Sequence, residues 1–463
     1  MEFKNPPLFA RRGLMLDISR NRVPTMGCLK RLIDALAALH YNELQLYTEH
    51  TFAYSGHETV WENASPMTAE EICEIDAYCT ERGIELVPNQ NSFGHMERWL
   101  QHPPYRHLAE SPNGFIHPIS GEHKGPSTLH PNQMSLQFVD RLYEELITNF
   151  QSKMIHVGGD EPWELGKGRS KEIAKKVGKH RVYLDYMKAI FESAQQYGSH
   201  PQFWSDIILE RPDLVTELPR NVIPVIWGYE GDSPFADHCR TVANAGFEKQ
   251  FYVAPGAGNW NSFSGRLDIA RANIEIAATE GHRNGALGIL LTAWGDNGHH
   301  QAWATTYPSI VLAAAAAHGT TLKDDALAAT IDHVFYPDSS AGNGIALLNL
   351  GKIDSMLPQP APPNSFLHCA FFANEEAMKE LLELTTQSAL EDCLKSLEAI
   401  RADDVDPEIS LSTELNRHAL ERCLRLNYTR DRETLQALFS EQWLRHSRSG
   451  GLDQSLARMQ ISQ

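Results

Sequence analysis

The chain contains no Cys-x-x-Cys pair, and its seven cysteines (Cys28, Cys73, Cys79, Cys239, Cys369, Cys393, Cys423) fall at irregular intervals. An odd set so spaced fits neither a disulfide framework nor a structural zinc site, and the thiols read as small apolar residues. A His-Glu-x-x-His motif is missing too, despite 21 histidines, so no metal and no cofactor are expected. No stretch reaches the length of a membrane span, and Met1 to Arg12, interrupted by Pro6 and Pro7, lacks the apolar segment of a secretory leader. Basic residues are few beside acidic ones, 41 against 59, for a formal charge of −18. That balance disfavours nucleic acid and anionic membrane as partners. A neutral small molecule or glycan suits it better, in a protein expected to be cytoplasmic.

What the 463 residues do contain is a recurring alternation. Short apolar runs rich in branched and aromatic residues fall at Gly13–Ile18, Glu43–Thr48, Ile84–Pro88, Met154–Val157, Gln202–Ser205, Ile223–Trp227, Phe251–Ala254 and Leu287–Thr292. Amphipathic segments such as Cys28–Leu39, Ala69–Arg82, Leu136–Phe150 and Val182–Tyr197 lie between them. Thr68-x-x-Glu71 reads as a capping box, and Gly83 ends the helix that it starts. Eight strands alternating with helices predict an α/β fold of the (β/α)8 TIM-barrel type over residues 1–320. From Tyr307 the strand pattern stops; Leu357 to Asn364 reads as a stiff Pro-rich connector, and leucines at helical spacing (Leu381, Leu384, Leu390, Leu394, Leu397) predict a helical carboxyl-terminal region over 321–463. Packing or assembly, for instance as a homodimer, is the role expected of that region.

Active sites of such barrels lie at the carboxyl ends of the strands. There the sequence places Glu49 with His50, His95, Asp160 with Glu161, Trp204 with Asp206, Trp227 with Tyr229, Asn259 with Trp260, and Trp294 with Asp296. The run His156-Val157-Gly158-Gly159-Asp160-Glu161 stands out, because paired glycines bend the chain and set two adjacent acids where a strand opens into a loop. Four tryptophans on one face are walls suited to the apolar faces of a sugar ring. The third βα loop, His102 to Pro131, is long and rich in Gly, Pro and His, as a lid or an added binding wall would be.

Glycosidases commonly work with two carboxylates, yet the seventh strand segment, Phe251 to Trp260, carries none. A substrate that supplies its own nucleophile removes that need. Arg12-Gly13-Leu14-Met15-Leu16-Asp17 together with His156 to Glu161 resemble the first- and fourth-strand signatures of glycoside hydrolase family 20, the β-N-acetylhexosaminidases, in a compact bacterial, intracellular form. The resemblance spans about residues 10–315. It implies exo-acting, retaining release of terminal GlcNAc or GalNAc from N-acetylhexosamine-terminated oligosaccharides through an oxazolinium intermediate. Glu161 would be general acid and base, and Asp160 would orient the substrate's 2-acetamido group. Arg12 and Asp296 would hold hydroxyls, and Trp204, Trp227 and Trp294 would wall the acetamido pocket and the sugar face. His95 and Glu49 would orient the pair, with His156 supporting Asp160. Members commonly carry Tyr-x-Asp at the end of strand seven, whereas this chain has Tyr252-Val-Ala-Pro-Gly; Tyr229, Asn259 and Tyr252 remain candidates to donate to the acetamido oxygen, and the altered wall around Trp260 bears on epimer choice. Three other readings stay open: a barrel glycosidase using Asp206, Glu230 or Asp296 as second carboxylate, a metal-dependent amidohydrolase-like barrel built on His95 and His156, and a non-catalytic sugar-binding barrel.

Overall fold

The computed structural model describes residues 5–340, 342–400 and 404–460; Met1–Lys4 of the amino-terminal segment read above lie outside them. Eight parallel strands close into a barrel: β1 (Arg11–Asp17), β2 (Glu43–Thr48), β3 (Glu85–Gln90), β4 (Met154–His156), β5 (His200–Trp204), β6 (Ile223–Gly228), β7 (Tyr252–Pro255) and β8 (Gly288–Ala293). Each pairs with its neighbours in sequence, and β8 closes on β1 with Gly13 opposite Leu290 and Leu16 opposite Ala293. All eight expected strands are present, with ends that differ by no more than two residues and β2 unchanged at Glu43–Thr48. Thr68 and Glu71 form the expected capping box, Thr68 Oγ1 accepting from the Glu71 amide at 3.3 Å and Glu71 returning the bond at 3.0 Å.

The barrel interior is stratified along its axis. Toward the amino ends lies a polar layer: Glu43 accepts from Arg11 at 2.9 Å, from Tyr252 Oη at 2.9 Å and from Gln45 at 2.7 Å, and Gln45 also donates to Gln202 at 2.7 Å. A buried carboxylate is tolerable there because every lone pair finds a donor. Above it sits a second layer that includes Met15, Tyr47, Trp204, Val225, Trp260 and Trp294, the floor of the barrel mouth.

The carboxyl-terminal helices run from Asp324–Phe335 to Leu452–Arg458 and share one continuous apolar core with the outer barrel helices. The leucines read as helical there fall on two helices, Glu375–Glu383 and Gln387–Glu398, and the turn between them. Thr386 starts the second of them by accepting from the Ala389 amide at 3.2 Å, an N-cap bond that needs extended backbone at that residue. Leu381, Leu390 and Leu397 are buried, while Leu384 faces solvent. The last helix reaches the barrel mouth: Ser455 Oγ donates to the Gly298 carbonyl at 2.7 Å, its carbonyl meets His300 Nε2 at 2.9 Å, and Gln454 accepts from Arg98 at 3.0 Å.

Candidate active site

Gly158 and Gly159 have φ of 73° and 99°, so the chain leaves β4 in a left-handed turn. A β-carbon at Gly158 would run into Asn91, and one at Gly159 would lie 2.7 Å from Met187 Cε and 3.1 Å from Tyr183 Oη. His156, wholly buried beneath this turn, accepts the Gly158 N–H on Nδ1 at 3.1 Å, and burial lowers its pKa to about 3. It therefore works as a neutral acceptor that shapes the turn, not as a group offered to a sugar.

The turn delivers Asp160 and Glu161 to the mouth, where His95 from the β3 loop faces both, with Nε2 3.2 Å from Asp160 Oδ2 and 3.5 Å from Glu161 Oε2. Asn91 donates to Asp160 Oδ1 at 3.2 Å. Burial alone would raise the Asp160 carboxyl; the His95 charge and hydrogen bond, with the Asn91 amide, hold it below the ordinary carboxylate value. Glu161 goes the other way, because burial outweighs the pull of His95 and the charges of Asp160 and Asp296 add to it. His95 is lowered by burial but raised more by the two carboxylates, to about 10. Two neighbouring acids are thus driven apart in proton affinity, one held ionised and one held protonated to higher pH.

Arg20, not among the residues expected at the strand ends, ties the rest together. Its guanidinium lies 3.4 Å from Asp17, 3.2 Å from Glu49, 3.4 Å from His95 Nδ1 and 4.0 Å from Asp296, and it sits 4.8 Å and 5.1 Å over the Tyr47 and Trp294 rings. Arg12, expected here, lies at the opposite end of β1 and donates to the backbone oxygens of His40, Phe9 and Ala10. The signal was available, since Arg12 precedes β1's apolar run and Arg20 follows it, and only carboxyl-terminal ends reach the mouth. Glu49 accepts from Tyr47 Oη at 2.9 Å, and its carboxyl is raised by burial, against Arg20, to about 7.

Glu49, His95 and Glu97 bring potential metal-ligand atoms within 4.8 Å of one another. The donor set fits a cation poorly, because Arg20 already lies 3.2 Å from Glu49 and 3.4 Å from His95 Nδ1, and His95 Nε2 is engaged by Asp160.

Trp227 is partly exposed and stacks on Tyr229, rings 5.0 Å apart and 19° from parallel. Tyr229 Oη accepts from Trp294 Nε1 at 2.9 Å. Trp204 is wholly buried, 4.2 Å from the His156 ring and 6.0 Å from Trp294, and Trp260 lies against Tyr229 at 5.1 Å with 1% exposure. These two are floor and backing; Trp227 and Trp294 line the opening more directly. Asn259 is buried and donates to Thr306 Oγ1 at 2.6 Å. Tyr252 is spent on Glu43 deep in the barrel and is withdrawn as an acetamido donor. Of the alternative carboxylates, Glu230 is occupied by Arg266 at 2.8 Å. The long third loop is pinned rather than free: Glu164, in the β4 loop, accepts from the Thr128 amide at 2.5 Å and the Ser127 amide at 3.1 Å, and Glu110 accepts from Ser170 Oγ at 2.6 Å.

A (β/α)8 barrel with two adjacent carboxylates at its mouth, a histidine against both and aromatic walls beside them has the make-up of a glycoside hydrolase. The sequence profile of the Glycosyl hydrolase family 20 catalytic domain matches residues 9–249, more than half of the 463 residues, and the chain belongs to that family. Hexosaminidase D of Bos taurus is 26% identical over 231 residues, 48% of this chain and 63% of that protein. Hexosaminidase D of Homo sapiens is 26% identical over 236 residues, 48% of this chain and 46% of that protein. The match thus spans less than two thirds of either relative. Among solved structures, the chitobiase of Flavobacterium johnsoniae shares the fold with a TM-score of 0.58 at 17% identity, covering 93% of this chain and 75% of that one. The exo β-N-acetylglucosaminidase of Vibrio harveyi follows at 0.55 and 16%, covering 75% and 59%.

Proposed function

We propose that this chain is an exo-acting, retaining β-N-acetylhexosaminidase that releases terminal GlcNAc or GalNAc from oligosaccharides by substrate-assisted catalysis. The observation that carries the reading is the opposite bias on two adjacent acids: His95 and Asn91 hold the Asp160 carboxyl below its ordinary value against burial, while burial raises that of Glu161 against His95. Glu161 gives its proton to the glycosidic oxygen as the C1–O bond breaks. The acetamido carbonyl oxygen of the substrate attacks C1 from the other face and closes an oxazolinium ring, while Asp160 accepts the acetamido N–H and balances its positive charge. Glu161, now a carboxylate, takes a proton from water as that water adds to C1 and the ring reopens. Two inversions retain the anomeric configuration.

Tyr229 is assigned as donor to the acetamido oxygen, since its hydroxyl is anchored beside the sugar wall by Trp294. Asp296 and Arg20 are assigned to the ring hydroxyls, with Trp227 and Trp294 against the sugar. Residues 1–320 are taken as the catalytic barrel and 321–463 as a supporting helical region. No helix among the described residues is long and apolar enough to cross a membrane, and the acidic composition suits soluble glycans in the cytoplasm.

The test is side-by-side hydrolysis of chromogenic β-glycosides of GlcNAc, GalNAc and glucose, with the GlcNAc thiazoline as inhibitor. Turnover confined to acetamido sugars and blocked by the thiazoline is expected. Glucoside turnover or indifference to the thiazoline would sink the mechanism.

A further inference from the structure

Asp206 is a third carboxyl group beside the reacting pair, and the reaction as written does not use it. It opens the short helix Asp206–Leu209 after β5. Its Oδ2 lies 3.4 Å from the Glu161 amide nitrogen, which donates to it, and its Oδ1 is buried with no hydrogen-bond partner among the described residues. Glu161 has a φ of 46°, a left-handed conformation that a residue with a β-carbon keeps only where its surroundings hold it. Two contacts hold it here: the Trp163 amide donates to the Glu161 carbonyl at 2.7 Å, and Asp206 takes the Glu161 N–H. The direction of the Glu161 side chain follows from that backbone.

We propose that Asp206 is a positioning residue for the general acid: by accepting the Glu161 N–H it locks the left-handed turn that aims the Glu161 carboxyl at the glycosidic oxygen. The inference rests on the reading of Glu161 as general acid. Burial, with the charges of Asp160 and Glu161, raises the Asp206 carboxyl to about 8. It therefore carries a proton near neutral pH and anchors the turn without setting a third negative charge beside Asp160.

A positioning role for the acid makes a demand that mere structural support does not: it matters only when the leaving group needs a proton. The experiment compares kcat/KM, which reports steps through leaving-group departure, for N,N′-diacetylchitobiose and for 2,4-dinitrophenyl β-GlcNAc, whose phenolate leaves unassisted. Asp206→Leu should lower kcat/KM on the disaccharide by about 30-fold or more, within the range that general acid catalysis contributes. On the dinitrophenyl glycoside it should stay within about threefold of the wild type, as should inhibition by the thiazoline. Asp206→Asn, which keeps an acceptor oxygen, should restore most of the disaccharide rate. Equal losses on both substrates, an undiminished disaccharide rate in the leucine variant, or an asparagine variant as impaired as the leucine one would each overturn the proposal. Should Asp206→Leu fail to fold, Asp206→Ala gives the same comparison. A wild-type protein inactive on both substrates would instead overturn the hexosaminidase reading, and this inference with it.

Discussion

Arg20 reaches Glu49 at 3.2 Å across the barrel mouth, joining the loop after β1 to the end of β2, and the same guanidinium lies 3.4 Å from His95. A half-buried arginine between three acids and a histidine both steadies the carboxylates and leaves donors for a sugar hydroxyl. Arg20→Met should therefore lower kcat/KM by roughly 30-fold or more, the equivalent of about 2 kcal/mol for leaving the buried Glu49 without its partner. Arg12→Met, at the far end of the same strand, should leave kcat/KM alone and cost about 1 kcal/mol of stability. Steady-state kinetics on a chromogenic GlcNAc glycoside, with denaturant melts, separate the two; the reverse pattern would restore Arg12 to the site.

Glu161→Gln should reduce turnover of an unactivated disaccharide about 100- to 10,000-fold, the usual contribution of a general acid. Inhibition by the thiazoline should survive, because Asp160 and Tyr229 are untouched. A glutamine variant with wild-type disaccharide turnover would remove Glu161 from the mechanism.

The pH profile has a defined sign. Activity needs Asp160 ionised, and its carboxyl is held below the ordinary 3.8, so the acid limb of kcat/KM should fall only below that value. It also needs Glu161 protonated, and that carboxyl is raised above 4.5, so the alkaline limb should begin above that value. On a dinitrophenyl substrate, which needs no proton, the Glu161 limb should disappear while the acid limb remains. An alkaline limb common to both substrates would assign it to another group.

His95 also links pH to stability. Its pKa is raised from 6.5 to about 10 in the folded state, so its charged pairing stabilises fully below pH 6.5 and is lost as pH rises through about 10. Melting temperatures of wild type and His95→Gln should differ most below pH 6.5 and converge at pH 10 to 11. A gap that widened with pH would contradict the assignment.

Gly94 allows the catalytic loops to meet. A β-carbon there would collide with the Asp160 carbonyl and lie 3.2 Å from that of Glu161, backbone atoms with little room to yield. Gly94→Ala should cost about 1–3 kcal/mol by overpacking and lower kcat by at least about tenfold, since the displaced atoms carry the acid pair. Calorimetry with kinetics checks both; normal kcat would show that the β3 and β4 loops can part without harm.

Strand alternation, the Gly-Gly turn before the two acids and the aromatic residues at strand ends were all legible in one dimension, because side-chain period and strand polarity are local properties. A (β/α)8 closure then follows from counting, and with it the face on which Asp160, Glu161, His95, Trp227 and Trp294 must lie. What one dimension could not settle was depth and partnership. Tyr252 and Asn259 looked as available as Tyr229, and only the folded barrel shows Tyr252 bound to Glu43 in the polar layer, Asn259 bound to Thr306, and Tyr229 held at the wall by Trp294. His156 reads as a support for Asp160, and burial makes it a neutral acceptor under the turn. The roles of Arg20 and Asp206, and the split between the two adjacent acids, arise from charges tens or hundreds of residues apart meeting where water is excluded. The sequence alone determined the strands and the end of the barrel at which the site forms; only the tertiary structure decided which residues reach that mouth and which of them are already spoken for, because a hydrogen bond or a pKa belongs to a neighbourhood rather than to a residue.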